Sequence, residues 1–169
     1  MHRFLRGPFK SLYPKIQLMK HGNMSTSNYT TSLPITFWRV EDNRQKLHCV
    51  CHVILNNFRN AKRQIIYAPN EQAAQYLDTL LWTYPKGSFI PHTIAMDPVQ
   101  AAVVITTTSK NLNQAQIVIN LGSQIPPFTG PIEEMHDLMD LTSPDKKQLA
   151  LQREKEYQQH GHRVSVQTP

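Results

Sequence analysis

The fold is decided by residues 33–82, LPITFWRVEDNRQKLHCVCHVILNNFRNAKRQIIYAPNEQAAQYLDTLLW, where two strand-like runs alternate with two helical ones. Leu33–Val40 is short and rich in β-branched and aromatic residues, and Pro34 sits near its start, where a strand tolerates the missing N–H. Glu41–Asn60 then carries a helical period, with Leu47, Val50, Cys51, Ile54 and Phe58 at i, i+3, i+4, i+7 and i+11. Arg63–Pro69 is a compact apolar run of strand length. Asn70 is a good N-cap for a helix through Trp82 that places Ala73, Ala74, Leu77, Leu80 and Leu81 on one face. Strand, helix, strand, helix predicts an α/β fold, a mostly parallel sheet with flanking helices, because parallel neighbours need a long crossover.

The rest of the chain extends this pattern. Pro85 and Gly87 end the second helix, and Ser88–Ile94 is extended. Ala102–Thr107 and Gln116–Leu121 are strong strands, Gly122–Gly130 with Pro126-Pro127 is a loop, and a further strand is expected around Met135–Leu141. Pro144 and Asp145 start a last helix that runs to about His160 and stops at Gly161, and Arg163–Val166 could add an edge strand. No segment repeats another. At 169 residues, 40% of them apolar, the chain suits a single globular domain over residues 33–169, preceded by a leader over 1–32.

The net charge of +6 invites a nucleic-acid reading, but its distribution argues otherwise. Residues 1–40 hold Arg3, Arg6, Lys10, Lys15, Lys20 and Arg39 and no acidic side chain, whereas from Glu41 onward 12 basic and 12 acidic residues cancel. A neutral body is a poor tracker of phosphates, so DNA is expected to be met only indirectly. The leader reads as a disordered basic tail, as an organellar transit peptide, or as a stretch ahead of a true start at Met24. No apolar run approaches the roughly 18 residues of a membrane span, so no membrane role is expected. Two cysteines make no disulfide framework, which points to a reducing cytoplasm.

Three clusters invite chemistry. In His48-Cys49-Val50-Cys51-His52 the residue types suit a metal, but on a helix Cys49 and Cys51 lie about 200° apart, so four ligands cannot converge on one ion. Cys51 belongs to the apolar stripe instead. Ser88, His92 and Asp97 are the parts of a hydrolase triad, yet no GxSxG elbow accompanies them. His160 and His162 flank a helix-ending glycine, where a cation suits the dipole. The phosphate-binding glycine turn of a parallel α/β sheet is missing: Val40-Glu41-Asp42-Asn43 stands where a dinucleotide fingerprint would sit, and no GxxxxGK[ST] occurs. No cofactor and no metal are expected.

Leu77-Asp78-Thr79-Leu80-Leu81-Trp82, Pro85, and Ser88-Phe89-Ile90-Pro91-His92 resemble the signature segment of the chi subunit of bacterial DNA polymerase III. Lys62–Ile66, Gln72-Ala73-Ala74, Ile117–Leu121, Lys147–Ala150, Tyr157 and Gly161 extend the likeness from about Ile35 to Val166. The resemblance implies a single Rossmann-like domain with no nucleotide bound, and a non-catalytic replication accessory. It implies two partners, the psi subunit of the clamp loader and the acidic C-terminal tail of single-stranded DNA-binding protein. Phe89 is the expected psi-facing anchor, with Pro91 and Trp82 beside it, Trp82 being expected mainly in the core. On the last helix, Lys147 and Lys155 match the family's tail-binding lysines. Leu151 stands where better-studied members place an arginine and Glu154 where they place a tyrosine, so Arg153 and Tyr157 are offered as a shifted set. Competing readings are an adaptor of the same fold serving a repair helicase, and a small hydrolase using Ser88 or His92.

Overall fold

The computed structural model describes residues 32–169, so the leader reading falls, but for Ser32, outside the described residues. Seven strands, β1 (Pro34–Val40), β2 (Gln64–Tyr67), β3 (Thr93–Ile94), β4 (Val103–Thr106), β5 (Ile117–Asn120), β6 (Glu134–Asp140) and β7 (Arg163–Gln167), form one sheet in the order β3-β4-β2-β5-β6-β1-β7. Every strand pair is parallel. Three helices flank it: α1 (Asn43–Arg59), α2 (Glu71–Thr83) and α3 (Pro144–Gln159). The Rossmann-like α/β expectation holds, and the edge strand expected near the C-terminus is β7.

The central strands are buried on both faces, which is why β4 and β5 read as unbroken apolar runs rather than alternating ones. Period 2 then divides their side chains between two cores. Ile66, Val103, Ile105, Ile117 and Ile119 pack with Val50, Cys51, Ile54, Leu77 and Leu81 of α1 and α2. Ile65, Val104, Val118, Phe37 and Met135 point the other way, onto Phe128, Ala150 and Tyr157 from the loop after β5 and from α3. Each fully buried side chain of this size contributes about 1.5–3 kcal/mol of transfer free energy.

Helix starts are set by local hydrogen bonds. Periodicity places the first helix from Glu41, but Asp42 is its N-cap: its carboxylate accepts the Gln45 amide at 2.7 Å, and the Gln45 side chain accepts the Glu41 amide at 2.7 Å. That carboxylate occupies the helix end where a Rossmann sheet would present amides to a phosphate. Asn70 caps α2 as expected and Ser143 caps α3, with Pro144 at the first helical turn. At the far end of the domain His162 Nδ1 accepts the Leu33 amide at 3.3 Å, tying the start of β1 to the turn after α3.

β6 carries a polar pair whose members serve opposite faces. Asp137 is fully buried beneath α3, while the His136 ring lies on the α1 side and accepts the Trp38 indole N–H through Nδ1 at 3.2 Å. No hydrogen bond reaches His136 Nε2, and burial pushes the imidazole down to about 4.

Candidate functional site

The loop between α2 and β3 is the most unusual surface of the domain. Pro85–Ser88 is a turn closed by the Ser88 amide on the Pro85 carbonyl at 3.0 Å, with Gly87 at φ +79°. Phe89 follows at φ +42°, in the left-handed region that L residues with large side chains rarely occupy. From there the side chains alternate. Ile90 is fully buried in the core with α1 and α2, Pro91 is exposed, and the His92 ring is buried, its side chain 0% exposed. Phe89 itself is 76% exposed. Two inward anchors, Ile90 and His92, therefore follow an outward aromatic.

The His92 ring docks against α2 between residues one turn apart. Its Nδ1 lies 2.7 Å from the carbonyl of Ile90, in its own loop, and its Nε2 lies 3.1 Å from the carbonyl of Asp78, with the Asp78 carboxylate at 3.4 Å. Trp82, four residues after Asp78 and so on the same helical ridge, covers the imidazole at a centroid distance of 4.8 Å. Trp82 is 59% exposed, which corrects the expectation that it sits in the core. Helical phase explains this: Leu77 and Leu81 take the buried positions of α2, and Trp82 lies 100° beyond Leu81. Trp82, Phe89 and Pro91 are therefore all presented to solvent.

The hydrolase constellation does not form. Both nitrogens of His92 face main-chain carbonyls, no hydrogen bond joins Ser88 to an imidazole, and Asp97 is an exposed loop residue. The histidine–cysteine pentad divides as helix geometry requires. His48 and His52 lie on one exposed face with ring centroids 4.1 Å apart, and the Tyr84 hydroxyl sits 2.5 Å from His48 Nδ1. Cys51 is core as expected, and Cys49, off the stripe, is buried too. Burial pushes the Cys49 thiol up to about 11 and that of Cys51 up to about 12, Cys49 adding to the latter. Among the described residues no three His, Cys, Asp or Glu side chains gather as a metal site.

On α3 the candidates separate by face. Lys147, Leu151 and Lys155 form one exposed stripe, Leu151 being 47% exposed. Arg153 and Tyr157, offered as a shifted tail-binding set, are buried, which corrects that expectation. Arg153 reaches Asp137 through Nε at 3.1 Å and Nη2 at 2.8 Å, and donates to the Leu138 and Ser123 carbonyls. Asp137 also accepts from Asn120 at 2.9 Å and from the Tyr157 hydroxyl at 3.1 Å. Burial pushes the Asp137 carboxyl above its ordinary value, and Arg153, Asn120 and the Leu138 amide act against that. These side chains bind α3 to the sheet.

A Rossmann-like sheet whose first helix cap stands where a phosphate turn would be, with Trp82 near the end of α2 and Phe89 on the loop that follows both exposed, defines an α/β module that presents large apolar side chains to solvent. The chain belongs to the DNA polymerase III chi subunit family: the model of that family, described as DNA polymerase III chi subunit, HolC, matches residues 34–165. It is similar to DNA polymerase III subunit chi of Escherichia coli K12, 27% identical over 122 residues that cover 70% of this chain and 82% of the relative. The subunits chi of Haemophilus influenzae and Pseudomonas aeruginosa are 25% and 23% identical over 120 and 121 residues, 69% and 72% of this chain and 83% and 84% of the relatives. It is thus an accessory component of DNA replication rather than an enzyme. Among the described residues no helix is long and apolar enough to cross a membrane.

The sequence reading weighed His92 as a candidate acid–base group and quoted it in the signature segment, but missed its anchoring role. The signal was present in Phe89-Ile90-Pro91-His92, whose alternation reads as out, in, out, in. Asp137, which organises the inner face of α3, escaped notice because nothing local marks an acidic residue in a strand as an arginine's partner.

Proposed function

We propose that this chain bridges the clamp loader, through its psi subunit, to single-stranded DNA-binding protein, and meets DNA only through that partner. The observation that carries the reading is the Trp82–Phe89–Pro91 surface. Large apolar groups exposed at the end of α2 and on the loop that follows have the composition of the core of a protein interface. A soluble chain that served no partner would gain by replacing Phe89, 76% exposed at a strained backbone position, with a polar residue or glycine.

The second contact uses the outer stripe of α3. Lys147 and Lys155 meet the carboxylates of an acidic tail, and Leu151 between them offers an apolar floor for its terminal aromatic ring. A stripe with two cations and no guanidinium supports a weak, salt-sensitive contact. Two unpaired cysteines fit a cytoplasmic setting for both contacts.

Co-purification with psi tests the first contact. Phe89→Ala abolishes capture while the thermal unfolding curve is retained, and capture that survives the substitution assigns psi to another surface. Titrating an acidic peptide that ends in an aromatic residue with a free carboxylate tests the second. Binding is expected in the micromolar range, roughly −8 kcal/mol, weakening with added salt. Unchanged affinity in the Lys147→Ala, Lys155→Ala double variant places the tail elsewhere.

A further inference from the structure

The Phe89 loop contains a buried imidazole that the binding surface does not itself use. We infer that His92 is the positioning residue of that surface: it fixes the loop on α2 in the conformation that presents Phe89 to the partner. The inference rests on the partner reading above for its function, but its structural half stands alone.

Three observations converge on it. The His92 ring spans two elements, reaching the Ile90 carbonyl at 2.7 Å inside the loop and the Asp78 carbonyl at 3.1 Å on α2. It is sealed from solvent by Trp82, whose ring lies at 4.8 Å and which is itself part of the proposed surface. Phe89, three residues away, holds φ at +42°, a conformation that persists only when its surroundings impose it. Ile90 fixes the loop's depth, since an apolar anchor resists withdrawal from the core but leaves rotation about the chain free. A directional bond from whichever ring nitrogen carries the proton supplies the missing restraint. His92 thus converts a tethered loop into an oriented one.

The consequence is for association. A pre-ordered aromatic spares the complex the entropy of ordering a loop on binding, and its loss raises the dissociation rate more than it lowers the association rate.

The test uses the full chain with His92→Ala and with His92→Gln, whose amide can still donate to one carbonyl. Amide hydrogen exchange of residues 86–92 is measured on the free chain, and psi affinity is measured separately. His92→Ala is expected to speed exchange in that loop by tenfold or more, to leave protection of β2, β4 and β5 unchanged, and to weaken psi at least tenfold. His92→Gln is expected to restore part of both. Unchanged loop exchange in His92→Ala overturns the inference, whatever psi does. A loosened loop with unchanged psi affinity upholds the positioning role and overturns the assignment of psi to this surface. If His92→Ala does not fold, Trp82→Ala, at a mostly exposed position, removes the seal over the ring and is read by the same exchange, where an unloosened loop again overturns the inference.

Discussion

The loop at residues 85–92 and the outer stripe of α3 are the two surfaces proposed to meet partners, and they are built in opposite ways. In the loop, two inward side chains and a constrained backbone hold one aromatic ring outward, so its recognition depends on shape. On α3 the helix is held entirely from its inner face, and the outward side chains are long, flexible and solvated. A contact made by such a stripe is electrostatic and replaceable. The difference teaches that a binding surface is only as specific as the structure behind it: buried structure stands directly behind Phe89, whereas the buried network of α3 supports the helix and none of its outer side chains.

The largest expected effect separates the two faces of α3. Arg153→Ala leaves Asp137 buried with its charge uncompensated and costs about 3–5 kcal/mol, read as a lower urea midpoint. Replacing both partners with apolar residues, Arg153→Met with Asp137→Leu, costs much less, because no charge is then left buried. If Arg153→Ala weakened an acidic peptide without lowering the midpoint, the inner face would be a ligand site and the contrast drawn above would collapse.

A second effect probes the other side of β6 by pH. Burial lowers His136 from 6.5 to about 4, so between those values the unfolded chain binds a proton that the folded chain refuses. Stability is therefore full above about pH 6.5 and falls as the pH drops toward 4, by about 3 kcal/mol at the limit. His136→Val removes this acid limb, and it costs about 1 kcal/mol at neutral pH for the Trp38 indole left without its acceptor. An acid limb of unchanged depth in that variant would move the titration to another group.

Phe89→Ala is the measurement that isolates the loop. It is expected to cost about 2 kcal/mol or more of partner affinity, roughly thirtyfold, while stability changes by less than about 0.5 kcal/mol because the ring is exposed. Comparable losses in affinity and stability would instead make Phe89 a packing residue.

How far the sequence alone reaches follows the same division. Strand runs, helix periods and caps such as Asn70 are local signals, and they placed the parallel sheet, its three helices and the edge strand β7 within a few residues. The loop was recognised by resemblance and by its prolines, and the helical phase of Trp82 and the alternation from Phe89 to His92 were local signals that went unused. What no local pattern encodes is that the His92 ring meets α2 beneath Trp82. The misreading of Arg153 has the same origin. Lys147, Arg153 and Lys155 are all cations on one polar helix, and only the distant Asp137 draws one of them inward.

The smallest effects belong to the outer stripe of α3, and they decide whether it is a site at all. Lys147→Ala and Lys155→Ala should each weaken an acidic peptide by about 0.5–1 kcal/mol, the range of solvated charge pairs, with the loss disappearing as salt shortens the screening length. Leu151→Arg should act in the opposite direction, because a guanidinium one turn from each lysine adds a bidentate donor for a carboxylate. Neither change should touch stability, since all three side chains are exposed. Peptide titrations at two salt concentrations check all three variants together. A gain from Leu151→Arg with losses from both lysines fits a stripe that binds weakly for want of one donor. No response from any of the three would mean that the outer face of α3 is only a solvated surface, and would leave the loop around Phe89 as the one proposed interface of the two.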